Sequence, residues 1–298
     1  MKVLITGKGG QLAWELERTQ PENVDVLSLG IDELDISNAA QVNQQLIAFS
    51  PDIVINAAAY TAVDKAETDQ TTAYAVNDTG SANLANLCKE IDAQLIHVST
   101  DFVFDGTKNT PYQTKDQPNP INVYGASKLA GDEKIAQVLG GNATIIRTAW
   151  VYSVNGNNFV KTMLRLMSEK EQLGIVYDQV GTPTWAKGLA EMIWCLIEQK
   201  GINQSTSDET TLLHWTDAGV ASWYDFAVAI QDLAVEKGML EKKIPVRPIP
   251  ASNYPTPARR PGFSVIDKFS AEKASGKETI HWRTQLSAMM DELAAIQG

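Results

Sequence analysis

A tyrosine and a lysine four residues apart, Tyr124 and Lys128, suggest proton-transfer chemistry in this sequence. On a helix, residues i and i+4 share a face, so the phenol and the ammonium would lie side by side. A neighbouring positive charge favours the phenolate, which lowers the pKa of the phenol and prepares it for proton transfer near neutral pH. The same spacing occurs on ordinary surface helices, so the prediction needs a structural context.

That context comes from Ser99 and Thr100, which follow an apolar run. Ligands of doubly wound sheets bind at the carboxyl ends of the strands. A hydroxyl at such a position can donate to the same carbonyl oxygen that the tyrosine protonates. Thr100, Tyr124 and Lys128 are therefore the candidate catalytic residues for hydride transfer from a nicotinamide to a ketone.

A glycine loop lies at the start of the chain, with the spacing GxxGxxA over Gly7, Gly10 and Ala13. It separates an apolar run from a helical pattern, which is the position of a dinucleotide-binding turn. Small residues allow close approach of a pyrophosphate, and the helix N-terminus supplies amide donors. Without a ligand, the loop would be only a connector.

The residue at the end of the second predicted strand bears on the choice of dinucleotide. A carboxylate there would bind the adenosine ribose and repel a 2′-phosphate. The sequence places Gly30 at this point, with Asp32, Glu33 and Asp35 just beyond and Lys8 in the glycine loop. NADPH and NADH therefore both remain possible.

The elements that must position these residues alternate along the first half of the chain. Continuous apolar strands alternating with helices predict a parallel sheet covered on both faces, and the right-handed crossover rule makes it a doubly wound Rossmann sheet. The predicted strands are Lys2–Thr6, Val24–Leu29, Asp52–Asn56, Gln94–Ser99 and Ala143–Thr148. The predicted helices begin near Gln11 and cover Ala39–Phe49 and Ala73–Ile91.

The pattern changes after about residue 150. We predict an α/β fold with an NAD(P)-binding domain over residues 1–150. Residues 151–298 would mainly form a smaller α/β substrate-binding domain, with some segments returning to the sheet. Predicted elements of this half are helices at Asn158–Ser168, Thr184–Gln199, Ser222–Lys237 and Arg283–Ile296, a strand at Leu212–Trp215, a polar loop at Ile202–Thr211 and an irregular Pro-rich run from Pro245 to Pro261.

Composition excludes several function classes. The net charge is −11, and Arg259-Arg260 is the one adjacent pair of arginines, so a nucleic-acid partner is not expected. No apolar run approaches the roughly 18 residues of a membrane span, and the predicted location is cytoplasmic. The two cysteines and three histidines lack metal-ligand spacing, so we interpret His97 and the other histidines as structural.

Several segments together resemble one family, the dTDP-4-dehydrorhamnose reductases, over nearly the whole chain. This resemblance implies reduction of the C4 ketone of dTDP-4-dehydro-L-rhamnose to dTDP-L-rhamnose with NADPH or NADH, on an extended short-chain dehydrogenase fold. The matching segments are GKGGQLAWEL from Gly7, NAAAYTAVDKAE from Asn56, STDFVFDG from Ser99, NVYGASKLAGD from Asn122, RTAWVY from Arg147, GNNFVKTMLRL from Gly156, DQVGTPT from Asp178 and YPTPARRP from Tyr254.

The resemblance also implies roles for individual residues. Thr100, Tyr124 and Lys128 would form the catalytic triad. The expected cofactor-binding residues are Gly7, Gly10, Gln11, Leu12, Asp35, Ile36, Ala57, Ala58, Ala59, Thr61, Tyr124 and Lys128. The expected substrate-binding residues are Val63, Asp64, Thr100, Asp101, Trp150 and Arg259.

Two of these assignments have alternatives. A guanidinium suits a diphosphate, so Arg259 or its neighbour Arg260 is expected to contact it, although the pair could simply be solvated. Asp64 could pair with Lys65 instead of facing the substrate.

One departure from the family concerns a metal. Some members dimerise around Mg²⁺, held by a glutamate on the first helix and an acidic residue after the PT of GxPT. Glu15 matches the first position, but Lys187 occupies the second. An ammonium cannot ligate Mg²⁺, which needs oxygen donors. We therefore expect no metal, and a monomer or weak homodimer.

Other functions on the same fold remain as alternatives. Related 4,6-dehydratases carry an Asp-Glu pair after the threonine, whereas Phe102 follows Asp101 here. Related epimerases usually carry serine in place of Thr100, so both differences favour a reductase, acting on this or another nucleotide keto-sugar. A non-catalytic regulatory subunit, like that of methionine adenosyltransferase, is a second class. The intact Tyr124 and Lys128 argue against it.

Overall fold

The computed structural model describes residues 1–199 and 208–297, so residues 202–207 of the predicted polar loop lie outside the described part. In chain order the strands are β1 (Lys2–Thr6), β2 (Asp25–Leu29), β3 (Ile53–Asn56), β4 (Gln94–Thr100), β5 (Ala143–Thr148), β6 (Val151–Tyr152), β7 (Leu173–Val176), β8 (Val180–Gly181), β9 (Thr184–Trp185), β10 (Thr211–His214), β11 (Ala221–Ser222) and β12 (Val246–Ile249).

The helices of the described chain fall between and after these strands. They are α1 (Gln11–Arg18), α2 (Ala39–Phe49), α3 (Val63–Ala66), α4 (Gln70–Tyr74), α5 (Ser81–Glu90), α6 (Val123–Leu139), α7 (Phe159–Glu169), α8 (Ala186–Glu198), α9 (Trp223–Glu236), α10 (Phe269–Ser275) and α11 (Trp282–Gln297).

A six-stranded parallel sheet in the order β2-β1-β3-β4-β5-β10 organises the molecule. Strands β3 and β5 are buried along their whole length, as expected when helices cover both faces. The strand order reverses between β1 and β3, and ligand crevices of doubly wound sheets open at such a switch point. The predicted fold class is confirmed.

Three hydrophobic cores surround this sheet and extend beyond it. Helices α1 and α8 pack on one face, and α2, α5 and α6 pack on the other. A separate core joins α7, α9 and α11. Because β10 pairs with β5 and α8 packs against α1, segments after residue 150 do return to the sheet. The boundary at residue 150 itself stays a prediction.

Two elements differ from the sequence predictions for physical reasons. The helix predicted over Ala73–Ile91 consists of α4, a π-helical turn at Ala75–Gly80, and α5. Such turns are common at functional sites. The Pro-rich run contains β12, which pairs in parallel with β7. This two-stranded sheet has only edge strands, where a proline such as Pro248 is tolerated.

Candidate active site

A cavity of about 950 Å³ opens at the carboxyl ends of the central strands. Its walls come from the glycine loop, from the segments after β3 and β4, from α6, and from residues of the C-terminal half. This volume lies at the upper end of the range for small-molecule and cofactor sites. The switch point of the sheet therefore coincides with a cavity lined by the predicted catalytic residues.

The glycine loop forms one end of this cavity with its backbone exposed to it. Gly7 has φ +80°, and an added Cβ would lie 2.9 Å from the Ala58 nitrogen, so only glycine fits. Gly10 is the N-cap of α1 and brings no side-chain cap, which leaves the first amides of the helix for a ligand. From the C-terminal half, the Asn155 Nδ2 donates to the Gly9 carbonyl at 3.0 Å. This arrangement fits a pyrophosphate.

The residues at and after the end of β2 are those that could hold the adenosine of a dinucleotide. Asp35 and Ile36 both line the cavity, but an Asp35 carboxylate oxygen already accepts from the Ser37 amide at 2.9 Å. At the end of β2 stands Gly30, and the Lys8 side chain lies exposed on the cavity wall. The Glu33 carboxylate also reaches this strand end, where its Oε2 accepts from the Gly30 amide at 3.1 Å. A 2′-phosphate would therefore meet both the Lys8 cation and this carboxylate near Gly30.

Most of the predicted site residues meet in this cavity. Those that line it are Gly7, Gly10, Gln11, Leu12, Asp35, Ile36, Ala57, Ala58, Ala59, Thr61, Val63, Thr100, Asp101, Tyr124, Lys128 and Trp150. Asp64 and Arg259 are not among its lining residues.

Thr100 and Tyr124 form the reactive face. Both side chains line the cavity, and the threonine hydroxyl donates to Asp101 Oδ1 at 3.1 Å. Burial raises the pKa of Tyr124 to about 12, which the Thr100 hydrogen bond opposes and the Asp101 charge reinforces. The expectation that Lys128 lowers this pKa is therefore wrong in this structure, because desolvation of the phenolate outweighs it.

Lys128 is almost fully buried beneath the cavity. Its Nζ donates to the Val98 carbonyl at 2.9 Å and lies 3.1 Å from His97 Nε2. Burial lowers the pKa of Lys128 to about 8, with the Asp132 charge acting in the opposite direction. The tyrosine and lysine thus share one helix, α6, but the lysine head group contacts strand β4 rather than the phenol.

Asp101 lies at the floor of the same cavity and is 2% exposed. Burial raises its pKa to about 6, although hydrogen bonds from Ser264 and Thr100 stabilise the charged form. Its position beside Thr100 suits it to accept a hydrogen bond from a polar ligand.

The arginine pair behaves differently from the prediction. Arg259 is exposed and does not line the cavity, and only its carbonyl is used, accepting from Asn122 at 2.8 Å. Arg260 lines the cavity and forms a bidentate ion pair with Asp64, with distances of 2.9 and 2.7 Å. Asp64 thus pairs with Arg260 rather than with Lys65. Sequence alone could not decide between adjacent arginines.

Trp150 closes the far side of the cavity in a backbone conformation that side chains seldom adopt. Its φ is +48°, and its ring stacks on Trp223 at 3.5 Å between centroids. Both rings line the cavity and offer a flat apolar surface to a ligand. Trp223 was missed at the sequence level because it lies on α9, far away along the chain.

The metal position that the sequence resemblance implies, at Glu15 and Lys187, is occupied by ion pairs within the chain. Lys187 Nζ lies 2.6 Å from Glu292 Oε1, whose other carboxylate oxygen pairs with Arg18 at 2.8 Å. Glu15 is bound by Arg18 and accepts from the Ser153 hydroxyl at 2.7 Å. Cations of the chain already neutralise both carboxylates, so these residues do not fit Mg²⁺. In residues 1–199 and 208–297, no group of three or more His, Cys, Asp or Glu side chains could hold a metal ion.

Comparison with known proteins decides the family. A family model described as the RmlD substrate binding domain matches residues 1–295. The chain belongs to this family. This RmlD-family chain is 39% identical over 307 residues to the dTDP-4-dehydrorhamnose reductase of Burkholderia thailandensis, an alignment that covers 98% of this chain and 99% of that protein.

Solved structures extend the likeness of this RmlD-family chain to the fold. A dTDP-4-dehydrorhamnose reductase from Clostridium acetobutylicum superimposes with a TM-score of 0.90 at 38% identity, covering 99% of this chain and 100% of that one. A reductase of the same name from Bacillus anthracis, in complex with NADP, gives 0.89 at 35% identity, covering 98% and 99%. The sequence resemblance is therefore confirmed over the whole chain.

One further property is structural. Over the part of the chain that the structure describes, no helix is both long and apolar enough to cross a membrane.

Proposed function

We propose that this protein reduces the C4 ketone of dTDP-4-dehydro-L-rhamnose to dTDP-L-rhamnose, using NADPH. The observation that carries the proposal is that Thr100 and Tyr124 meet on the wall of the cavity that the glycine loop lines. The similarity to named dTDP-4-dehydrorhamnose reductases supports the choice of substrate.

The glycine loop and the small residues after β3 are the proposed holders of NADPH. The exposed amides at Gly10 and the close approach permitted by Gly7 suit the pyrophosphate. Lys8 is the proposed partner of the 2′-phosphate, because its exposed ammonium lines the cavity beside the end of β2, where the Glu33 carboxylate is already bound to the Gly30 amide. When bound, NADPH supplies the hydride for the ketone carbon.

Tyr124 is the proposed proton donor to the oxygen that becomes the C4 hydroxyl. Its high pKa keeps the phenol protonated at neutral pH, ready to donate rather than to accept. Thr100 would hold the same oxygen with its hydroxyl. Lys128, one turn further along α6 with its head group on β4, would stabilise through its charge the phenolate left after proton transfer.

The substrate is proposed to bind between Arg260 and the Trp150–Trp223 stack. A guanidinium suits a diphosphate, and the flat indole surface suits the apolar face of a sugar or the thymine ring. Arg260 takes the role expected of Arg259, because it is the arginine that lines the cavity. Val63 and Asp101 would contact the sugar.

The assembly is proposed to be a monomer or a weak homodimer that needs no metal bridge. The ion pairs of Lys187 and Arg18 with Glu292 support this, since they engage the carboxylate within one chain. The cytoplasmic location stays a prediction.

The test is NADPH oxidation by the purified protein with dTDP-4-dehydro-L-rhamnose, repeated with other nucleotide 4-keto-sugars and with NADH. We expect rapid oxidation with the first substrate and a lower kcat/KM with the others. Faster turnover of another keto-sugar would change the substrate assignment. NADPH binding without turnover on any of them would favour the regulatory-subunit alternative.

A further inference from the structure

A buried histidine, interpreted from the sequence as structural, lies against the Lys128 head group. His97 is fully buried in β4, and its backbone pairs with Asn56 of β3. Its Nδ1 lies 2.9 Å from Asn56 Nδ2, and its Nε2 lies 3.1 Å from Lys128 Nζ. The ring therefore links the central sheet to the lysine of the proposed active site.

The hydrogen bonds around Asn56 determine which ring nitrogen carries the proton. Asn56 Oδ1 accepts from the Thr6 hydroxyl at 2.6 Å and from the Ala58 amide at 3.2 Å. Rotating the amide would set Nδ2 against the Ala58 N–H, which can only donate. Asn56 Nδ2 must then donate to His97 Nδ1. A neutral His97 consequently carries its proton on Nε2, the nitrogen that faces Lys128.

Two groups compete for this Nε2–H. An uncharged Lys128 amine can accept it at 3.1 Å, whereas a Lys128 ammonium is itself a donor and would repel it. Asp132 Oδ1 lies 3.7 Å away, and this buried oxygen has no hydrogen-bond partner among the described residues. The contact to Asp132 is too long for a hydrogen bond as it stands. A small ring rotation would exchange one acceptor for the other.

We propose that His97 is a positioning residue of the reductase, which holds Lys128 through its Nε2–H when the amine is neutral and donates to Asp132 when the amine is protonated. The proposal rests on the function assigned above. In this arrangement the buried Nε2–H of His97 has an acceptor whether Lys128 is charged or neutral. It also assigns a purpose to the otherwise unpaired oxygen of Asp132.

The charges around the ring keep it neutral in both states. Burial, followed by the Lys128 charge, lowers the pKa of His97 well below its ordinary value. Arg147 on β5 faces Asp132 with Nε and Nη2 at 3.4 Å from Oδ2, while Ser99 of β4 donates to the same oxygen at 2.9 Å. These contacts leave Asp132 Oδ1 for His97.

Tyr124 and Asp101 are the remaining titratable groups on the cavity side of Lys128. The pKa of Tyr124 is raised by burial first and then by the Asp101 and Asp132 charges, so the phenol stays neutral over the range in which Lys128 titrates. Asp101, with a pKa of about 6, is already charged throughout that range. Lys128 is therefore the group whose charge changes near pH 8.

The direct test is nitrogen NMR of the unaltered protein labelled with ¹⁵N-histidine. The chain has three histidines, so each ring can be assigned from a single variant. We expect His97 to carry its proton on Nε2 and to stay neutral from pH 5 to 9. Its Nε2 signal should shift as Lys128 titrates. A proton on Nδ1, or an Nε2 chemical shift that does not change as Lys128 titrates, would overturn the proposal. Either result would leave the proposed reductase activity untouched.

A matched pair of variants tests the consequence for catalysis. His97→Leu removes the group that donates to the neutral amine, which raises the pKa of Lys128. The pH at which kcat/KM falls on the alkaline side should therefore rise by about 0.5 to 1 pH unit, and KM for the sugar should stay within about twofold. His214→Leu removes another fully buried strand histidine, away from Lys128, and should leave the limb in place. A downward shift or no shift in His97→Leu contradicts the proposal. No turnover in the unaltered protein would instead refute the proposed function.

Discussion

Two clusters of charged side chains in this molecule use the same chemistry in different surroundings. The core cluster consists of Lys128, Asp132 and Arg147, whose exposures are only 1, 3 and 4%. The junction cluster consists of Glu15, Arg18, Lys187 and Glu292, where three helices meet. Its Arg18, Lys187 and Glu292 side chains are 27, 28 and 30% exposed.

The difference in burial determines how strongly a substitution in each cluster should affect catalysis and stability. In the core cluster a charge left without its partner is costly, and each pKa responds strongly to its neighbours. In the junction cluster Glu15 is buried, but water reaches Lys187 and Glu292, so their ion pair is screened and contributes little. We therefore expect substitutions near the core cluster to affect chemistry and folding, and a substitution of Lys187 to be tolerated.

The largest expected effect comes from the phenol above the core cluster. Tyr124→Phe removes the proposed proton donor but keeps the ring, so kcat should fall by about 10²- to 10⁴-fold. NADPH affinity, measured by fluorescence titration, should stay within about twofold because the cofactor contacts remain. Unchanged turnover in this variant would remove the acid–base assignment.

Removing the arginine of the core cluster tests the cost of an unpaired buried charge. Arg147→Met removes the guanidinium that pairs with Asp132 and leaves this carboxylate to the more distant charge of Lys128, so the free energy of unfolding should fall by about 3–5 kcal/mol. Arg165→Met is the control, because the Arg165–Glu169 pair is exposed on α7 and should contribute only about 0.3–0.5 kcal/mol. If chemical denaturation showed equal losses in the free energy of unfolding for the two variants, burial would not explain the strength of these ion pairs.

Lys8 differs from both clusters because it is exposed yet lines the cavity. If it binds the 2′-phosphate of NADPH, Lys8→Met should raise KM for NADPH about tenfold, the effect of losing one charged hydrogen bond. KM for NADH, which lacks that phosphate, should stay the same. Steady-state kinetics with both cofactors measures this, and a parallel rise for NADH would contradict the role.

The smallest effects are expected in the junction cluster. Lys187→Met should reduce the free energy of unfolding by about 0.2–1 kcal/mol, because the Lys187–Glu292 pair is part-exposed. EDTA should change neither the activity nor the melting temperature of the unaltered protein. Loss of activity in EDTA that Mg²⁺ restores would show a metal requirement that these ion pairs do not explain.

Local patterns in the sequence predicted most of the sheet and of the cavity. Apolar runs located the strands to within about two residues, and the glycine spacing located the turn around Gly7. These features depend on neighbours in the chain, which the sequence shows directly. The π-helical turn at Ala75–Gly80 and the β7–β12 pair depend on packing against distant segments, and no local pattern indicated them.

The parts of the site that sequence reasoning missed depend on burial and on long-range pairing. His97 meets Asn56 from 41 residues away, and the polar residues within two buried strands were the available signal. The pKa of Tyr124 was predicted in the wrong direction because the spacing shows the lysine but not the loss of water around the phenol. Arg260 rather than Arg259 faces the cavity because the loop turns there, which spacing cannot show.

The most direct test of the account follows the hydride to its destination. The purified protein is incubated with dTDP-4-dehydro-L-rhamnose and NADPH deuterated at the transferable position of C4, and the sugar product is analysed by NMR. We predict dTDP-L-rhamnose with deuterium at C4, formed about 10²- to 10⁴-fold more slowly by Tyr124→Phe. Oxidation of the cofactor without deuterium at C4, or no product from a protein that binds NADPH, would contradict the reductase assignment.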